Sequence, residues 1–115
     1  MLLAAVCLIG MALPLPAKRV PPQPVDPVIH DGVKYSAEGD GRTAFVVANK
    51  ATTGEKLWRA EIFHIQVKPL LEEDVQWVFI RKLKLEGEEL LVEDEKSRCY
   101  LLNLTTKHVQ KTDCH

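Results

Sequence analysis

Phe45-Val46-Val47-Ala48-Asn49-Lys50-Ala51-Thr52-Thr53-Gly54-Glu55-Lys56-Leu57-Trp58 is the stretch whose reading decides the fold. Phe45 to Ala48 is an unbroken apolar run whose β-branched and aromatic side chains suit a pleated, buried surface better than a helix. Thr52, Thr53 and Gly54 punctuate it, and Gly54 can take the positive φ that a tight or bulged hairpin loop requires. Leu57 and Trp58 then resume the apolar signal, so the stretch reads as strand, turn and returning strand. Trp58 is expected to anchor the core, because aromatic side chains dominate burial.

Downstream, Trp58, Ala60 and Ile62 share one face while Phe63, Ile65 and Val67 share the other, a change of phase that a β-bulge produces. Pro69 stops this strand, and residues 70–76 read as a single helical turn or compact loop. Residues 77–85 follow as a strand with Trp77, Phe79, Leu83 and Leu85 facing inward and Lys82 and Lys84 outward. Gly87 marks a turn into Leu90-Leu91-Val92. Asp94-Glu95-Lys96-Ser97 turns the chain into a strand over residues 99–104, and residues 105–107 reverse it into residues 108–112. Upstream, Asp31-Gly32 and Glu38-Gly39-Asp40-Gly41 carry turn chemistry around Val33-Lys34-Tyr35. Short strands with regular turn signals predict an all-β fold: a small antiparallel β-meander of about six strands, curled on itself or with one face covered by residues 28–42.

The 115 residues fit one domain, and 46% hydrophobic and 27% charged residues with a net charge of -1 are ordinary for a globular protein. That near-neutral balance gives no electrostatic argument for nucleic acid, whose binding rests on phosphate neutralisation by clustered Lys and Arg, so none is expected as a partner. Residues 1–13 are continuously apolar but span only about 20 Å at helical rise, against a hydrocarbon core of about 30 Å. Pro14 and Pro16 end the run. Its length fits the apolar region of a signal peptide, with cleavage after Ala12 or Ala17. However, no Lys or Arg precedes it and Lys18-Arg19 follow it, so an uncleaved anchor or a buried N-terminal helix are the alternatives. Six of the seven prolines fall between Pro14 and Pro27, which favours an extended tether. The expected organisation is a signal peptide over residues 1–17, a Pro-rich linker over 18–30 and a β domain over 31–115. The protein is expected to be secreted or periplasmic, touching membrane only through an uncleaved N-terminal segment.

Sliding the chain over itself by 53 residues brings Ala48, Thr53, Gly54 and Trp58 onto Leu101, Thr106, Lys107 and Lys111. The apolar strand and the threonine survive the shift. Four strand-like runs lie within one such period, as in one propeller blade. Ala48, Thr53, Gly54, Leu57 and Trp58 together resemble the repeat of pyrroloquinoline-quinone-type β-propellers, in which Ala-x-Asp, Thr-Gly and Leu-Trp follow one another. Lys50 stands at the Asp position. The later copy keeps Asn103 there and replaces the Gly by Lys107. The resemblance implies a blade-like sheet and stops short of the cofactor. Quinone-dependent members use adjacent cysteines and a calcium site, no two cysteines are adjacent here, and a closed propeller needs at least four blades of about 40 residues. No cofactor is expected.

If Cys7 leaves with the signal peptide, Cys99 and Cys114 remain as a pair in a compartment where disulfides persist. A hairpin turning at Thr106-Lys107 places Cys99 opposite Cys114, which suits a cross-strand bridge. The alternatives are free thiols, or metal ligation by Cys99, His108, Cys114 and His115 without the spacing of a zinc site. His30 and His64 are isolated, and His64 reads as a surface or rim residue. The turn acids of residues 31–42 lack the ligand spacing of an EF-hand loop. Glu72-Glu73-Asp74, Glu86-Glu88-Glu89 and Glu93-Asp94-Glu95 read as solvated turns. Asn103-Leu104-Thr105 is a glycosylation sequon that matters only in a eukaryotic secretory pathway. Without a nucleophile elbow, a phosphate loop or a His-Glu-x-x-His motif, no catalytic or metal-binding residue is expected. Two functions remain in view. One is a non-enzymatic module that binds a protein partner, in the cell envelope or extracellular space, through a sheet edge. The other binds a small ligand or glycan through Trp58, Trp77 and Tyr100 as an exposed aromatic surface.

Overall fold

The computed structural model describes residues 19–114, so the expected signal peptide and its cleavage sites lie outside the described residues. Strands β1 (Val28–His30), β2 (Val33–Gly39), β3 (Thr43–Lys50) and β4 (Lys56–His64) form one sheet, each paired antiparallel with the next. A 3-10 turn, Asp74–Gln76, lies in the connection. Strands β5 (Ile80–Glu86), β6 (Glu89–Asp94), β7 (Cys99–Asn103) and β8 (Val109–Thr112) repeat the meander in a second sheet. The all-β antiparallel expectation is therefore met, among the described residues, with eight strands in two sheets rather than about six in one. Residues 28–42 do not cover a face. They supply β1 and β2, because Tyr35, Ser36 and Ala37 find partners in Ala48, Val47 and Val46.

The 53-residue shift relates the last hairpin of each sheet bond for bond. In the first, Lys50 N–H donates to Glu55 O, Gly54 N–H to Lys50 O and Glu55 N–H to Thr53 Oγ1. In the second, Asn103 N–H donates to His108 O, Lys107 N–H to Asn103 O and His108 N–H to Thr106 Oγ1. Gly54 sits at φ 80° and Lys107 at φ 65°, so the second copy places a side chain in the left-handed region that the first leaves to glycine. The turn before each of these third strands also centres on an aspartate, outside the 53-residue register and with different spacing. Asp40 Oδ1 accepts from the Arg42 and Thr43 amides, and Asp94 Oδ1 from those of Lys96 and Arg98.

The sheets pack face to face. Tyr35, Ala44, Val46, Ala48, Ala60 and Ile62 from the first meet Ile80, Leu83, Leu90, Val92, Tyr100 and Leu102 from the second in one core. Small residues on β3 leave room for the leucines of β6 and β7, and the Phe63 and Tyr100 rings stack at 5.3 Å across the interface. The bulge expected near Ile62 is present: Ala44 pairs with Phe63 but Phe45 pairs with Glu61, leaving Ile62 as the extra residue.

Two readings are corrected. Trp77 and Phe79 do not belong to the inner face of a strand, because β5 begins at Ile80 and a register shift between Ile80 and Lys82 resets its phase onto Leu83. Trp77 instead lies flat on Gly41, which has φ 98° and whose carbonyl accepts from Val78 N–H at 3.0 Å. A Cβ there would stand 2.4 Å from Trp77 Cγ. Gly41→Ala is accordingly expected to cost about 2 kcal/mol, from the left-handed backbone and the displaced indole together, measured by urea unfolding. The second correction concerns register. The last turn is centred on Thr105-Thr106, because Asn103 Oδ1 captures both of their amides, so Cys99 faces Thr112. The bridge to Cys114 still forms, since the chain leaves β8 and returns to a Cα separation of 5.3 Å.

Residues 19–27, inside the expected linker, run along the body. Val25 packs against the core, and the Arg19 guanidinium lies 4.7 Å over the Phe79 ring while pairing with Glu95. The expected domain start at Asp31 falls within the β1–β2 turn. Among the described residues no helix is long and apolar enough to cross a membrane.

Candidate interaction edge

An antiparallel sheet that is not closed leaves a row of unpaired amides and carbonyls at each side. Here the arm of residues 22–25 and 27 flanks Lys34, Ser36 and Glu38 of β2 and Phe79, so that side is partly covered. The opposite side is formed by β4 and β8. Strand β4 is the longest in the fold at nine residues, and among the described residues it pairs only with β3.

Beside it runs a groove of about 400 Å³, with Ile62, Phe63 and Ile65 on one wall and Val109, Gln110 and Lys111 on the other. The bulge creates half of this groove. By adding Ile62 it turns both Ile62 and Phe63 toward the second sheet, so apolar side chains line the approach to an open strand. Charges temper the outer surface. Arg59 lies 3.9 Å over the Phe45 ring and pairs with Glu38 at 3.5 Å, and His64 Nδ1 shares a hydrogen bond of 2.7 Å with Thr43 Oγ1. An open strand beside a trough that mixes Ile62, Phe63, Ile65 and Val109 with His64, Arg98, Gln110 and Lys111 can take an extended segment, with the backbone supplying hydrogen bonds and the trough selecting alternate side chains.

Comparison with known protein families finds no matching family model, and no curated protein matches the chain. The functional reading rests on this geometry.

The three aromatic residues considered for ligand stacking are not gathered on one surface. Trp58 is half-buried, 5.9 Å from the Tyr35 ring, with Lys107 Nζ 5.0 Å over its face. Trp77 donates its indole N–H to Glu73 at 3.1 Å and meets Phe79 edge to face. Tyr100 is only 5% exposed, against Phe63 in the core, and this removes it from any exposed aromatic platform.

The acidic clusters also separate. Glu73 accepts two hydrogen bonds of 2.6 Å from Arg42, and that pairing, reinforced by the Trp77 indole, holds its carboxyl down to about 2. Asp94 overturns the solvated-turn reading, for it is fully buried. Its carboxylate accepts from the Lys96 and Arg98 amides, from Arg98 Nε at 2.8 Å and from the Tyr100 hydroxyl at 3.2 Å. Burial first and then Asp94 push the Tyr100 phenol above its ordinary value. The sequence carries Asp94 only as one acid of a turn run, which indicates a turn and not burial. With Cys99 and Cys114 joined, their sulfurs are not free to serve as thiolate ligands beside His108.

Proposed function

We propose that this chain is an exported, non-enzymatic β domain that binds a protein partner by accepting an extended segment along β4. The observation that carries the reading is the nine-residue edge strand bordered by the Ile62–Ile65 trough. Export is supported by the apolar residues 1–13, the proline run and the Cys99–Cys114 bridge, which suits an oxidising compartment. Two successive four-stranded meanders with matching turns support reading the chain as two blade-like units, used here for their shape.

The test is to isolate the chain with its retained partner from the cell envelope or extracellular fraction and compare amide exchange with the free chain. Exchange over β4 is expected to slow at least tenfold in the complex, while β1 is unchanged. Ile65→Asp, which places a charge in the trough, is expected to weaken retention by tenfold or more with the circular dichroism preserved. A strictly monomeric chain with no retained partner, or protection confined to other strands, would count against the reading.

A further inference from the structure

The β1–β2 turn of the first sheet and the β5–β6 turn of the second bring together three side chains with metal-ligating atoms. His30 ends β1, Asp31 follows it, and Glu88 lies in the opposing turn. The ligand atoms of all three lie within 4.8 Å of one another. His30 Nε2 stands 3.2 Å from Asp31 Oδ2 and 3.8 Å from Glu88 Oε2. It is sealed from solvent and is the one buried side-chain nitrogen or oxygen among the described residues that makes no hydrogen bond. The carboxylates are mostly exposed, at 80% for Asp31 and 77% for Glu88.

An imidazole nitrogen facing two carboxylates is satisfied either by its own N–H donating to one of them or by a cation shared among the three; Nε2 makes no such hydrogen bond here, which leaves the space to a cation. The spacing fits a metal ion. Donors held about 2.1 Å from a tetrahedral ion stand about 3.4 Å from each other, and the separations of His30 Nε2 from Asp31 and Glu88 bracket that value. A nitrogen with two carboxylate oxygens suits a first-row divalent ion, whereas calcium and magnesium favour all-oxygen shells. The field is negative as well: besides burial, Asp31 and Glu88 push the nearby Tyr35 phenol above its ordinary value.

We propose that His30 Nε2, Asp31 Oδ2 and Glu88 Oε2 form a zinc-class cation site that ties the first sheet to the second, with a fourth position open to water. The site is distinct from the β4 edge and independent of the interaction reading. Two isosteric variants test it without disturbing the fold. Asp31 sits at φ 51°, a conformation asparagine also tolerates, so Asp31→Asn keeps the turn. Glu88 is exposed, so Glu88→Gln keeps the packing.

Calorimetry and thermal unfolding of the oxidised chain with zinc chloride, and with calcium chloride for comparison, are the measurements. One zinc ion per chain is expected to bind. At a hundredfold excess over its dissociation constant it raises the unfolding midpoint by about 10 °C, and calcium leaves it unchanged. Each variant is expected to keep its metal-free midpoint and lose at least tenfold in zinc affinity. No zinc-dependent shift, an equal shift in both variants, or an equal response to calcium would overturn the site. So would a midpoint that answers only to acidification through the imidazole range, which would assign the neutralising cation to a proton.

Discussion

Exchanging Cys99 and Cys114 together for alanine is expected to lower the stability of the fold by about 3 kcal/mol, and the unfolding midpoint by at least about 10 °C. The cross-link closes a sequence separation of 15 residues, for which the loss of freedom in the unfolded chain supplies an effect of that size. The native state is affected locally too. Strand β8 has only four residues and, among the described residues, a single neighbour, so beyond Thr112 the bridge ties the tail of the chain back to the second sheet. Reduction of the unmodified protein should reproduce the shift in scanning fluorimetry, and the double variant should not respond to reductant. Amide exchange in residues 109–112 should quicken before that of β6. A midpoint indifferent to reduction would show that β8 is held by its ladder and by Val109 alone.

Asp94→Ala is expected to cost about 3 kcal/mol, because deleting the fully buried carboxylate removes the acceptor of the part-buried Lys96 and Arg98 amides and leaves the buried Tyr100 hydroxyl without a partner. Asp94→Asn separates charge from hydrogen bonding. Its side-chain oxygen can still accept from the two amides, so it should recover roughly half of the loss, with the Arg98 pairing given up. Urea unfolding gives the energies. Spectrophotometric titration supplies a second readout: removing Asp94 should lower the Tyr100 phenol toward its ordinary range without reaching it, since burial is the larger cause of its elevation. The matching change at Asp40 should be milder, because its carboxylate is exposed and its partners can turn to solvent. An Asp94→Ala variant as stable as the parent would remove the case for this carboxylate as the centre of the turn.

Much of the first sheet was legible from residues 33 to 64. Alternation and β-branching marked the strands, Thr53-Gly54 marked the turn, and the change of phase at Ile62 and Phe63 marked a bulge that turned out to shape the candidate edge. The weaker readings fell where a signal had two physical meanings. Trp77 and Phe79 alternate with Leu83 and Leu85 as a strand would, yet the irregularity at Arg81 breaks the alternation, and the indole fills the space above Gly41. Asp94 sits in an acidic run that any solvated turn would carry. Its burial depends on Arg98 and Tyr100 arriving over it.

By itself, then, the order of residues determined the class of fold, the hairpin at Thr53-Gly54, the position of the bulge and the identity of the bridged cysteines. These rest on neighbours close along the chain, where side-chain period and turn chemistry act directly. Only the tertiary structure decided that, among the described residues, eight strands divide into two sheets and β4 is left open beside a trough, which faces close on each other, and that His30 meets Glu88. Those outcomes come from packing two surfaces whose residues lie some fifty positions apart, and a hydrophobic contact leaves no mark in the chain of which distant partner it will find.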